Sequence, residues 1–119
     1  MNSFTTLLIV IVAIIHFYFL YLEMFLWTKP IGLKTFGITK EFAEQSKIMA
    51  ANQGLYNGFL ASGLLWSLFT AQVNTQIFFL SCVIVAGIYG SISLKKKAVF
   101  FFQSVPAILT ILIIFINKL

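Results

Sequence analysis

With 119 residues, 61% of them hydrophobic, 17% aromatic and only 9% charged, the chain falls far below the one-quarter charged content of ordinary soluble domains and reads as a membrane protein. Its net charge of +5 would point a soluble domain toward nucleic acid. Here the lysines gather in two short stretches between apolar runs, a pattern that matches anionic lipid headgroups and topology signals and excludes nucleic acid as a partner.

In chain order, residues 4–27 form an apolar run long enough to cross ~30 Å of hydrocarbon with some tilt. A span is expected here and not a signal peptide, because MNSFTT carries no basic residue, the run is long for a signal core and no small-residue cleavage pattern follows. Trp27 marks an interface, and Lys29-Pro30, Gly32 and Gly37 are expected to break the helix into a short basic loop, TKPIGLKTFGI. Thr39 then offers a side-chain oxygen at an N-cap, with Glu41 in the first turn, so a second helix is expected to start there. Its charged opening, TKEFAEQSKI, reads as an interfacial or cytosolic extension that enters the membrane near Ile48 and leaves it near Phe69. Thr70 to Thr75 make an uncharged turn. A third span runs over about 76–94, Lys95-Lys96-Lys97 ends it, and a fourth runs over about 98–117 with a kink at Pro106. The expected fold is all-α, a polytopic membrane protein: one four-transmembrane-helix bundle with an interfacial extension before the second span.

Orientation follows from the lysines. Lys29, Lys34, Lys40, Lys47, Lys95, Lys96 and Lys97 fall on one side of such a bundle and Lys118 alone on the other. The positive-inside rule then puts both basic loops in the cytoplasm of a bacterial cytoplasmic membrane and both termini outside.

Packing has its own pattern. Ala50, Gly54, Gly58 and Ser62 recur every four residues and form a ridge of small side chains that lets another backbone approach closely, and the third span answers with Cys82, Ala86 and Gly90. As the single cysteine, Cys82 excludes an intrachain disulfide and reads as a packing residue.

The chemistry of the chain gathers elsewhere. The stretch AIIHFYFLYLEMFLW places His16 and Glu23 inside an apolar span, two turns apart on one helix face, roughly 10 Å along the axis. A carboxylate at membrane depth costs a few kcal/mol on insertion scales, so such acids face a bundle interior, a partner or a water-filled cavity. On the second span Asn52, Tyr56, Phe59, Gly63 and Trp66 share a stripe, with Gln53 and Asn57 on its shoulder. Counted inward from the cytoplasmic ends, Glu23, Asn52, Tyr89 and Gln103 lie at one depth, about 6 to 8 Å inside the boundary, with His16 deeper. Two interpretations of this layer stay open: amides and phenols that only hydrogen-bond between helices, or a pocket with His16 and Glu23 as candidate catalytic groups and Asn52, Gln53, Tyr56, Asn57, Tyr89 and Gln103 as candidate ligand-binding groups. One histidine and one glutamate spaced seven apart lack a third convincing metal ligand, so no metal and no cofactor is expected.

The blocks HFYFLYLEMFLW, FGITKEFA and AANQGLYNGFLASGLLW, taken together, resemble the family of small bacterial membrane proteins called domain of unknown function 1304, over essentially the whole chain. The resemblance implies a four-helix integral membrane protein with attention on His16, Glu23, Asn52, Gln53, Tyr56 and Asn57, and it implies no reaction. Three functional classes remain: an enzyme or binder of a lipophilic small molecule, a proton-coupled exporter, and an accessory subunit of a membrane complex. Beyond the lipid bilayer, the partners considered are that small molecule and further copies of the chain. The seven-to-one lysine bias argues against the dual topology common among small multidrug transporters, whose likeness to this chain lies in architecture and not in motif.

Overall fold

The computed structural model describes residues 2–118, and among them every regular element is helical. In order these are α1 (Ser3–Phe25), α2 (Pro30–Phe36), α3 (Lys40–Phe69), α4 (Val73–Leu94), α5 (Lys97–Val99), a π-helical turn (Phe100–Ser104) and α6 (Val105–Lys118). Three stretches, Ser3–Phe25, Val73–Leu94 and Lys97–Lys118, are long and apolar enough to cross a membrane. The longest helix, α3, is less apolar than these: Glu41, Glu44 and Lys47 occupy its first turns and Asn52, Gln53 and Asn57 its middle.

The expected start of α3 is observed. Thr39 Oγ1 accepts the Phe42 N–H at 3.1 Å, the N-cap bond that satisfies one of the four orphan donors of a helix start. The loop expected before it is instead helical. Pro30, read from sequence as a breaker, opens α2, where its missing N–H costs nothing and its fixed φ suits the first turn. Gly37 closes α2 in the left-handed conformation, at φ 64° and ψ 42°, with its N–H on the Leu33 carbonyl.

The chain resolves into two compact units, His16–Phe59 and the described residues of Met1–Ile15 with Leu60–Leu119. In the first, α2 folds back on the end of α1: Gly32 is buried, and a Cβ there would collide with the Leu26 carbonyl oxygen. The Trp27 ring lies tilted against Phe36, with centroids 4.8 Å apart, and donates its indole N–H to Ser46 Oγ at 3.0 Å. Of the expected small-residue ridge of α3, Ala50, Gly54 and Gly58 are buried in this unit, whereas Ser62 is exposed. A Cβ on Gly54 would stand 3.0 Å from Glu23 Cβ and 3.2 Å from the Leu20 carbonyl oxygen, and one on Gly58 would stand 2.5 Å from Leu20 Cδ1.

In the second unit, Ile9, Val12, Ala13, Ala61, Leu64, Leu80, Val83, Ala107 and Ile114 form the core. The expected ridge of Cys82, Ala86 and Gly90 is corrected here. Ala86 is exposed and Cys82 only half-buried, while the close approach on α4 is at Gly87, where Ser104 occupies the space a Cβ would need and donates its hydroxyl to the Ile84 carbonyl at 2.8 Å. The distortion expected at Pro106 takes the form of the π turn just before it. A proline supplies no N–H and crowds the preceding turn, and the Val105 N–H bonds five residues back to the Phe100 carbonyl. At the chain ends, Asn117 Nδ2 donates to Thr5 Oγ1 at 3.1 Å.

Candidate functional site

Glycine on α3 creates the place in the first unit where polar side chains of α1 and α3 meet. Because Gly54 and Gly58 carry no side chain, the α1 backbone lies close enough for Asn57, on the same α3 face, to reach across. Asn57 is buried, Glu23 is half-buried, and Asn57 Nδ2 donates to Glu23 Oε1 at 2.6 Å. A hydrogen bond to a carboxylate is charge-assisted and stronger than a neutral pair, and a carboxylate has about four acceptor positions, so this bond leaves acceptor capacity on Glu23.

His16, on the same face of α1 two turns away, is buried at 1% exposure with Phe19 edge-on to its ring at 5.6 Å. The partner that the fold brings to Glu23 is therefore Asn57. The other polar residues of α3 point elsewhere: Asn52, Gln53 and Tyr56 are exposed, and Tyr56 lies at 5.9 Å from the equally exposed Phe59 ring. Helical geometry accounts for this, since Tyr56 is about 200° around the axis from Gly54; the face that packs closely is the glycine face. In the second unit Tyr89 is 73% exposed and Gln103 half-buried.

One feature of the second unit was not anticipated. A cleft of about 200 Å³ lies where α1 begins, α6 ends and the α3–α4 turn passes, lined among others by Asn2, Thr5, Ala71, Gln76, Asn117 and Lys118. Gln76 is wholly buried there and its amide points to the Ser67 carbonyl at 3.4 Å. The signal was present in the sequence as polar residues at matching ends of three apolar runs.

Fold and site together describe an all-helical protein with three membrane-capable helices and a glutamate–asparagine pair on helices that meet over glycine. The family described as Protein of unknown function (DUF1304) has a model that matches residues 10–115, and the chain belongs to this family. It is similar to the uncharacterized protein YpaA of Lactococcus lactis subsp. lactis (strain IL1403), at 33% identity over 103 residues, covering 83% of this chain and 87% of that protein. No solved structure matches.

Proposed function

We propose that the chain is a four-span protein of the bacterial cytoplasmic membrane, both termini outside, in which Glu23 anchors or protonates the polar end of a lipophilic small molecule. The span count is supported by parity. Thr5 and Asn117 are hydrogen-bonded, and Ala71 lines the same cleft, so the start of α1, the α3–α4 turn and the end of α6 share one face. Three crossings would leave the chain ends on opposite faces; four return them to one, and α3 is the helix available for the fourth. Its lower apolarity has a local cause in the amides at 52, 53 and 57. Seven of the eight lysines fall before the second span or between the third and fourth, a bias that supports a cytoplasmic assignment for those connections.

The observation that carries the binding role is the Glu23–Asn57 bond of 2.6 Å. An acid at membrane depth that is half-buried, held by one neutral amide and provided with spare acceptor positions suits an amine or hydroxyl on an otherwise apolar molecule. His16, deeper on the same face, supplies a second acid–base group along that helix. Mass spectrometry of small molecules that co-purify in lipid nanodiscs tests this. A lipophilic compound retained by the wild type and lost in Glu23→Gln is the expected result, and identical small-molecule content in both overturns the role.

A second reading rests on the exposed stripe of α3. Asn52, Gln53 and Tyr56 are exposed on a helix that this topology places in the membrane, where amides seek partners. A second copy of the chain meets that need, because an amide is both donor and acceptor and so complements itself across a two-fold axis. Single-molecule photobleaching in bilayers would then count two copies for the wild type and one for Asn52→Leu.

A further inference from the structure

The junction of α4 and α5 carries Lys95, Lys96 and Lys97 in succession. Beside it opens a cleft of about 500 Å³ lined by Ser91, Ile92, Lys95, Lys97, Phe100 and Phe101. The backbone there is built in an unusual way. Lys95 is left-handed, at φ 55° and ψ 40°; its N–H bonds to the Ile92 carbonyl at 3.3 Å and the Lys96 N–H to the Ser91 carbonyl at 3.1 Å. These two bonds make the Schellman termination of a helix, in which glycine normally holds the left-handed position because a Cβ is disfavoured there. Strained positions of this kind concentrate at ligand clamps.

Charge and polarity divide the cleft. Lys95 and Lys97 form a cationic side, and no acidic residue occurs in the sequence of this unit, since the acids of the chain are Glu23, Glu41 and Glu44. Ile92, Phe100 and Phe101 form an apolar side continuous with α4 and the 97–118 helix, both membrane-capable. The Ser91 hydroxyl already donates to the Ile88 carbonyl at 2.9 Å, so it is available to a ligand as an acceptor.

We propose that this cleft binds the headgroup of one anionic phospholipid. The Lys95 and Lys97 ammonium groups hold the phosphodiester, the Ser91 oxygen accepts a headgroup hydroxyl, and the first acyl methylenes lie on Ile92, Phe100 and Phe101. A free phosphate would use the lysines and leave the apolar side empty, and a zwitterionic lipid would bring its own cation against them. Lys96 does not line the cleft, which makes it the internal control: the same charge, one position away. This site is independent of the role given to Glu23.

The test uses the full-length protein in a neutral detergent, with binding of phosphatidylglycerol read by native mass spectrometry, phosphatidylcholine as the lipid control and inorganic phosphate as competitor. Phosphatidylglycerol should bind one per chain, in preference to phosphatidylcholine and without competition from phosphate. Lys95→Gln or Lys97→Gln should each weaken it roughly fivefold, the loss that corresponds to ~1 kcal/mol per lysine near a membrane surface, and Lys96→Gln should weaken it clearly less. Lys95→Gly adds a readout that a merely structural lysine would not give, because it should raise thermal stability by relieving the left-handed strain while lowering lipid affinity. Equal losses at all three lysines would reduce the site to general surface attraction. Equal binding of the two lipids, or displacement by phosphate, would overturn the lipid assignment.

Discussion

Asn57 and Glu23, thirty-four positions apart in the chain, are joined by a single hydrogen bond of 2.6 Å that exists because Gly54, one turn from Asn57, lets α1 come close to α3. The polar pair and the glycine contact are one device, in which close packing positions the amide and the amide holds the carboxylate.

A double-mutant cycle over Glu23→Ala and Asn57→Ala should therefore show coupling. Interhelical hydrogen bonds in membrane proteins average about 0.6 kcal/mol and reach about 1.7, and a charge-assisted bond belongs toward the upper end. Reversible unfolding in bicelles gives the four stabilities; strictly additive losses would show that the bond contributes nothing.

Glu23→Gln should insert and fold like the wild type. Glutamine keeps an oxygen for the Asn57 N–H and removes the cost of placing a carboxylate at membrane depth. A melting temperature close to that of the wild type, together with loss of the co-purifying small molecule, separates function from folding at this residue.

At Gly58 the outcome depends on size. A Cβ would stand 2.5 Å from Leu20 Cδ1, the end of a flexible side chain that can change rotamer, so Gly58→Ala should be mild. Gly58→Leu should destabilise by ~1–3 kcal/mol, the usual cost of added bulk in a packed contact. Thermal unfolding of the two variants in one detergent decides it.

Gly87 leaves less room to adjust. A Cβ there would collide with Ser104 Oγ and stand 2.9 Å from the Ser104 backbone nitrogen, whereas at Gly90 it would meet a Val99 methyl at 3.0 Å. Gly87→Ala should thus cost ~1–3 kcal/mol and disrupt the Ser104 bond to Ile84, with Gly90→Ala near neutral. If the two variants melt together, Gly87 is not the contact that holds α4 to the π turn.

Orientation is tested by an alkaline phosphatase reporter, which is active only outside the cytoplasm. It should be active when fused after Leu119 or inserted at Ala71 and inactive when inserted among Lys95 to Lys97. The reverse pattern would invert the topology, and activity at all three sites would indicate both orientations.

Much of this was legible in the sequence, for identifiable reasons. The Thr39 cap, the inward turn of Glu23 and the packing of Gly54 and Gly58 all follow from local chemistry: an oxygen at a helix start, a charge that lipid rejects, and a side chain too small to keep another helix away. Pro30 opens a helix where the sequence reads a break, because proline stops a helix in its interior and starts one at its first turn. Spacing puts the polar stripe of α3 through Asn52 and Tyr56, yet the face that packs runs through Ala50, Gly54, Asn57 and Ala61. Sequence spacing shows which residues share a face but not which face meets another helix. On α4 the same gap let Gly90 stand in for Gly87.

The π turn at Phe100–Ser104 also sets a phase. A π bulge holds one residue more than the α-helical ladder around it, so the segment before it is indexed about 100° away from where an uninterrupted α-helix would carry it. Lys97, in the segment before the π turn, lines the cleft beside the end of α4 in that shifted phase. Removing Phe102 or Gln103, neither of which lines the cleft, would leave the helix continuous and its composition almost untouched, and would turn its lysine-bearing end like a dial moved one notch, taking the cleft away while every side chain that lines it remained on the chain.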